Sequence, residues 1–224
     1  MYLQGVSELS TANNQSSQTL AHDGFHGLPV PSPRRFLILH GWQNRRPQEH
    51  WQWRLAERLR ATGDQVLYPQ FPDPDLPSLP IWNNLLHAEL SQLGDGERVV
   101  VAHSLAVLLW FHAAKTLEEF ERVDRVLLVS PPSLGVIARY NELLTFSEIV
   151  PDKDTVLAAA PSTRLVHSDN DPYCPEGAGL AYGALDLDTD IIEGGRHLDL
   201  DAGYGEWPSM LAWCREPTTR LVGR

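Results

Sequence analysis

The hydrophobic pattern of the chain consists of short, mostly apolar segments separated by longer stretches of mixed polarity. The clearest is Phe-Leu-Ile-Leu at residues 36–39, an uninterrupted apolar run typical of a strand buried on both faces of a parallel sheet. The strands predicted in this way cover residues 36–39, 65–68, 99–102, 126–129, 163–167 and 190–193.

Between these strands, apolar residues recur at the spacing of α-helices. The predicted helices cover residues 51–59, 81–93, 105–117 and 210–214. Strands that alternate with helices predict right-handed crossovers and therefore an α/β fold. We expect a mostly parallel, twisted sheet of about six strands with helices on both faces. In such a sheet the ligand site lies at the carboxyl ends of the strands.

The first 34 residues have a different composition. Residues 7–18 are rich in Ser, Thr, Asn and Gln, and three prolines alternate at residues 29–33. Such a segment has little apolar surface to bury, so it predicts a flexible N-terminal tail and a proline linker. Residues 35–224 then form a single domain, a length that permits a large buried core.

The net charge limits the classes of partner, and the cysteine content indicates the cellular compartment. The chain carries 18 Lys and Arg against 29 Asp and Glu, a formal net charge of -11, which disfavours phosphate backbones and anionic lipid. We therefore expect neither nucleic acid nor a membrane as a partner. Two cysteines, no signal-like N-terminus and no apolar run of about 20 residues lead us to expect a cytoplasmic protein.

The segment at residues 99–106 has the pattern of a nucleophile elbow. Four apolar residues lead into His103, Ser104 and an apolar helix, an arrangement that holds a serine hydroxyl above the edge of a sheet. The usual motif has glycine two residues before and two residues after the serine, and Ala102 and Ala106 stand there. The alternative is an ordinary strand-to-helix turn in which Ser104 is the helix N-cap.

The loop after the first strand is a candidate oxyanion hole. In hydrolases with this architecture, an amide of this loop acts together with the amide that follows the nucleophile. Here these are the backbone N–H groups of Trp42 and Leu105; the alternative is that Gly41 only supplies a turn. The residues considered for the pocket wall are His40, Gly41, His103 and Trp82.

Two further loops follow predicted strands and carry the partners of a serine. Asp169 and Asp171 lie after the fifth strand, and either carboxylate could orient a histidine ring. His197 follows two glycines after the sixth strand. A lone histidine is a weak signal, but the chain order of Ser, Asp and His matches that of this hydrolase architecture.

These motifs together resemble the small serine hydrolases typified by retinoblastoma-binding protein 9 and its compact bacterial relatives. The resemblance extends from residue 35 to the C-terminal helix. The matching features are His50-Trp51, the Phe-Pro-Asp-Pro stretch at 71–74 with Ile81-Trp82, the elbow at 102–106, the Ser-to-Pro loop at 168–172 and Gly-Gly-Arg-His at 194–197.

The resemblance implies a compact hydrolase core with little or no lid and with no metal or organic cofactor. It implies that Ser104 is the nucleophile, His197 the general base and Asp171, the aspartate directly before a proline, the triad acid. The chain departs from the family pattern at Ala106 and in its N-terminal tail. The prediction is a carboxylesterase-like serine hydrolase acting on small ester-like substrates. The alternatives are a thioesterase or aminopeptidase on the same triad, or a non-catalytic binding protein with this fold.

Overall fold

The computed structural model describes residues 34–224. The predicted tail and linker, residues 1–34, lie outside this range except for Arg34, the first residue of the first strand. Within residues 34–224, none of the helices combines the length and the apolar character needed to cross a bilayer.

A six-stranded parallel sheet forms the centre of the described chain. Its strands are β1 (Arg34–Leu39), β2 (Gln65–Leu67), β3 (Glu97–His103), β4 (Arg125–Val129), β5 (Ser162–Ser168) and β6 (Asp188–Ile192). Their order is β2-β1-β3-β4-β5-β6, and every neighbouring pair is parallel. The predicted α/β class, parallel sheet and strand number are confirmed.

Helices connect the strands. They are α1 (Trp51–Arg60), α2 (Leu79–Ser91), α3 (Leu105–Ala114), α4 (Leu134–Ile137), α5 (Leu144–Ser147), α6 (Lys153–Ala159), α7 (Ala178–Ala181) and α8 (Pro208–Arg215). Single 3₁₀ turns cover Glu119–Glu121, Asn141–Leu143 and Gly183–Leu185. The predicted extension of α3 to residue 117 is wrong, because the N–H of Thr116 bonds back to the carbonyl of Ala113 and closes the helix with a tighter turn.

The two faces of the sheet bury alternate residues of each strand. In β1, Leu37 and Leu39 face the layer that contains α2 and α3, whereas Phe36 and Ile38 face the layer of α1 and α8. This alternation follows from the two-residue period of a strand, and burial on both faces explains the continuous apolar runs in the sequence. The central helix α3 is buried around nearly its whole surface, as its composition predicted.

This architecture determines where side chains can meet. Strands β1, β3 and β4 are adjacent and in register, with Leu39 opposite Ala102 and His103 opposite Val129. The loops after β1, β3, β5 and β6 all leave from the same edge of the sheet. Residues far apart in sequence therefore converge there.

Candidate active site

Ser104 lies in the sharp turn between β3 and α3. Its backbone has φ 58° and ψ -124°, outside the regions that a non-glycine residue ordinarily adopts, and its side chain makes no capping hydrogen bond to α3. The N–H of Ser104 donates to the carbonyl of Val129 in β4 at 2.9 Å, so the strained turn is anchored to the neighbouring strand. The geometry is that of an elbow that projects the hydroxyl and not that of an ordinary N-cap.

The two alanines of the elbow are accommodated within the core. Ala102 and Ala106 have no exposed surface and pack in the layer of α2 and α3. The methyl groups thus occupy closely packed space between the sheet and the helix, where a larger side chain has no room.

Gly41 is needed because the backbone of the β1 loop passes very close to the serine. A Cβ at Gly41 would lie 2.8 Å from Ser104 Cβ and 3.1 Å from both Ser104 Oγ and the carbonyl oxygen of His103. Gly41 has no positive φ, so the absence of a side chain, and not a turn conformation, is what the position requires.

The loops after β5 and β6 bring an acid and an imidazole to the serine. His197 Nε2 lies 2.8 Å from Ser104 Oγ, and His197 Nδ1 lies 2.8 Å and 3.0 Å from the two carboxylate oxygens of Asp171. Asp171 and His197 are buried, at 3 % and 7 % exposure. The three side chains form a continuous hydrogen-bonded series from Asp171 to Ser104.

The structure distinguishes the two aspartates that sequence reasoning left open. Asp171 faces the imidazole and also accepts from the N–H of Tyr173 at 2.8 Å, which orients its carboxylate. Asp169 makes no hydrogen bond to the imidazole; its Oδ1 accepts from the N–H of Gly194 at 2.8 Å. Asp169 therefore holds the two loops together, whereas Asp171 contacts the ring of His197.

A cavity of about 400 Å³ opens beside Ser104. Trp42 and Leu105, the predicted oxyanion residues, border it together with Gly41, His103 and His197. Within residues 34–224, no acceptor receives a hydrogen bond from the backbone N–H of Trp42 or Leu105. These two donors therefore have no internal partner in the described chain.

Two residues expected in the pocket wall, His40 and Trp82, do not border the cavity. Both are fully buried beneath it, where their rings pack against Phe71. His40 Nε2 accepts from the N–H of Phe71 at 2.9 Å, and burial lowers the pKa of His40 to about 4. The expectation is corrected: a neutral His40 ties the β1 loop to the loop before α2.

Two more histidines, His50 and His103, lie close to His197. His50 caps α1 by accepting the N–H of Gln52 at 3.2 Å, and burial lowers its pKa to about 4. His103 lies between His50 and His197, with ring centroids 5.7 Å and 5.1 Å away. Burial holds the pKa of His103 well below its ordinary value, so this ring is neutral. Its Nε2 lies 3.0 Å from the carbonyl oxygen of His197, whereas the nitrogen beside Ser104 Oγ belongs to His197.

Sequence reasoning missed several residues that border the cavity. The ring of Tyr173 lies 4.5 Å from that of His197, and Arg45, Ile137, Asp199 and Asp201 also line the opening. Tyr173 directly follows Asp171-Pro172, and that position was the available signal. The others lie on loops and short helices whose paths no periodic pattern predicts.

Comparison with known proteins identifies the family of the chain. The family model described as serine hydrolase matches residues 36–216, so the chain belongs to the serine hydrolase family. The protein is accordingly a hydrolase with the α/β-hydrolase type of fold. No curated protein sequence matches the chain.

Solved structures show the same fold at low sequence identity. The ydeN gene product of Bacillus subtilis superposes with a TM-score of 0.70 at 23 % identity, covering 81 % of this chain and 96 % of its own. A YdeN-like hydrolase from Pectobacterium atrosepticum gives 0.60 at 23 %, covering 82 % and 90 %. The esterase domain of a Rhodothermus marinus protein gives 0.58 at 16 %, covering 84 % and 88 %. The predicted resemblance to compact bacterial serine hydrolases is confirmed.

Proposed function

We propose that the protein hydrolyses small carboxylic esters through a Ser104–His197–Asp171 triad and a covalent acyl-enzyme. The observation that carries the proposal is the unbroken series of hydrogen bonds from Asp171 through His197 to Ser104 at the wall of an open cavity. The strained backbone of Ser104 supports it, because a serine that served only as a helix cap would not need that conformation.

In the first half of the reaction, Ser104 Oγ attacks the ester carbonyl carbon while His197 Nε2 takes the hydroxyl proton. Asp171 holds the proton on Nδ1 and stabilises the imidazolium ion. Collapse of the tetrahedral intermediate breaks the bond to the leaving alcohol, which receives the proton from His197. A water molecule then repeats these steps on the acyl-enzyme and releases the carboxylic acid.

The oxyanion is held by backbone amides in this proposal. The N–H groups of Trp42 and Leu105 lie on the loop after β1 and at the first residue of α3, on either side of the cavity. Two donors without an internal partner can stabilise the negative oxygen of the tetrahedral intermediate. The small separation between Gly41 and Ser104 brings the first of these donors close to the nucleophile.

The cavity favours small substrates that carry no negative charge. Its volume of about 400 Å³ lies toward the lower end of the range for ligand pockets, about 300–1,000 Å³. Asp199 and Asp201 line its mouth, and neither forms an ion pair with another residue of the described chain. Arg45, also at the mouth, is paired with Asp75. The unneutralised carboxylates repel an anionic acyl or leaving group.

The test is a substrate panel measured with the wild type and Ser104→Ala. We expect Ser104-dependent hydrolysis of acetyl and butyryl p-nitrophenyl esters, and slower turnover of a matched succinyl monoester that bears a carboxylate. The corresponding thioesters and aminoacyl anilides form the other arms. A higher kcat/KM for thioesters or anilides than for esters would contradict the proposed substrate class. Equal turnover in Ser104→Ala would contradict the proposed nucleophile.

A further inference from the structure

The loop that carries His197 accepts hydrogen bonds at three consecutive backbone carbonyl groups. Ser168 Oγ donates to the carbonyl of Arg196, and His103 Nε2 lies 3.0 Å from the carbonyl oxygen of His197. The indole N–H of Trp51 donates to the carbonyl of Leu198 at 2.8 Å. The donors come from the end of β5, the end of β3 and the start of α1, so three separate segments hold one short stretch of backbone.

This stretch does not hold its conformation unaided. Arg196 and Leu198, the residues on either side of His197, have φ values of 52° and 49°, in the left-handed region that non-glycine residues rarely adopt. Such residues are strained and persist only where the surrounding structure imposes the conformation. The three carbonyl hydrogen bonds contribute to that constraint, since each is made by a buried or partly buried donor. The N–H of Arg196, which donates to Asn170 Oδ1, and the N–H of Leu198, which donates to the carbonyl of Gly195, add to it.

His103 has a special place among these donors. It is bonded through the main chain to Ser104 and through its ring to the backbone of His197, and it therefore connects the nucleophile and the base by a route other than their own hydrogen bond. A carbonyl oxygen only accepts, so the proton of the His103 ring is on Nε2. Because burial keeps this ring neutral, the other nitrogen carries no proton.

The structure assigns His103 as a positioning residue. We propose that its Nε2–H, donated to the carbonyl oxygen of His197, sets the distance between the imidazole of His197 and the hydroxyl of Ser104. The ring of His103 makes no hydrogen bond to Ser104 Oγ, to the ring nitrogens of His197 or to Asp171. The expected effect of His103 on kcat rests on the proposed function. Its effect on the distance between His197 and Ser104 concerns the resting protein alone.

Two amide variants of His103 test whether the side chain must reach the carbonyl of His197 or need only be polar. The amide nitrogen of Gln occupies about the position of Nε2, whereas that of Asn ends nearer Nδ1 and cannot reach the carbonyl of His197. We expect His103→Gln to keep kcat/KM within about an order of magnitude of wild type. His103→Asn should lower kcat by about 10²-fold with KM little changed, the loss expected when a base is misplaced by about 1 Å. Thermal melting monitors the folding of both variants.

The resting protein offers a second measurement that needs no turnover. The proton shared between His197 Nδ1 and Asp171 gives a low-field ¹H NMR signal, assigned by its loss in Asp171→Asn. We expect this signal in the wild type and His103→Gln, and a broadened or shifted signal in folded His103→Asn. Identical signals and identical kcat in the Gln and Asn variants would overturn the assignment. If the wild type showed no Ser104-dependent turnover, the proposed function would fail, and the NMR comparison would still decide the role of His103.

Discussion

The substitution Gly41→Ala tests whether the β1 loop and the nucleophile are as close as the structure shows. The added methyl carbon would lie 2.8 Å from Ser104 Cβ and 3.1 Å from Ser104 Oγ. Non-bonded carbons approach only to about 3.5–4.0 Å, so the methyl group overlaps its neighbour by about 0.7 Å or more. It also lies 3.1 Å from the backbone oxygen of His103, which is held in the sheet and cannot easily withdraw.

The magnitude follows from how this overlap is relieved. If the fold absorbs it, overpacking costs about 1–3 kcal/mol of the free energy of unfolding. At about 2–4 °C in Tm for each kcal/mol, the melting temperature falls by several degrees. If Ser104 moves by about 1 Å instead, kcat/KM falls by about 10²-fold. Since the nearest atoms belong to Ser104, we expect the loss of kcat/KM to be the larger effect.

The assay measures p-nitrophenyl ester hydrolysis and the rate of fluorophosphonate labelling for Gly41→Ala beside Gly183→Ala. Gly183 is exposed, has no positive φ, and a methyl group there meets no atom within 4 Å. Gly183→Ala should leave both rates and the melting temperature nearly unchanged. Full labelling and hydrolysis by Gly41→Ala would refute the close approach, and with it the placement of the oxyanion loop.

Three further predictions concern the triad acid, the elbow and the buried histidines. Asp171→Asn should lower kcat by about 10⁴-fold, as when a catalytic histidine loses its orienting carboxylate. The kcat of Asp169→Asn should remain within about tenfold of wild type. Steady-state kinetics that gave the reverse order for the two variants would contradict the assignment. Ala106→Gly should retain activity, and its free energy of unfolding in urea should fall by about 0.5–1 kcal/mol. Ala106→Val should lose both activity and stability, since the site is fully buried. An active, stable Val variant would be inconsistent with the packed elbow. Burial lowers the pKa of His50 from 6.5 to about 4, so the unfolded chain binds a proton at His50 before the folded chain does as the pH falls. His50 therefore contributes about 3 kcal/mol to the free energy of unfolding at neutral pH. This contribution is lost between about pH 6.5 and 4. His50→Asn keeps a cap acceptor without titrating and should reduce the slope of melting temperature against pH in this range. Part of the slope remains, because burial also lowers the pKa of His40 and His103. An unchanged slope would exclude His50 as a source of acid sensitivity.

The strands, and the loops that bring Ser104, Asp171 and His197 together, could be predicted because they depend on local patterns. Continuous apolar runs mark strands covered on both faces, and in a parallel sheet the residues that follow such strands share one edge. Ser104 and His197 were selected by that rule, and the structure brings them within hydrogen-bonding distance. Asp171 required the resemblance to the family, since the residues alone allow Asp169 equally well.

The pocket wall was harder to predict because it depends on contacts distant in sequence. His40 follows a strand as a pocket residue would, but its ring accepts the N–H of Phe71 and is buried with Trp82. Which way a ring turns at such a position depends on a segment about 30 residues away. The same reason explains why Asp199 and Asp201, on the loop after His197, were not predicted to line the cavity.

The proposed mechanism depends on a covalent acyl-enzyme at Ser104. The most direct test is rapid mixing with p-nitrophenyl acetate, followed by acid quenching and peptide mass spectrometry. We predict a burst of about one equivalent of p-nitrophenol per protein and an acetyl group on the peptide that contains Ser104. Ser104→Ala should give neither the burst nor the adduct. Hydrolysis without any acylated Ser104, or an acetyl group on another residue in place of Ser104, would contradict the account.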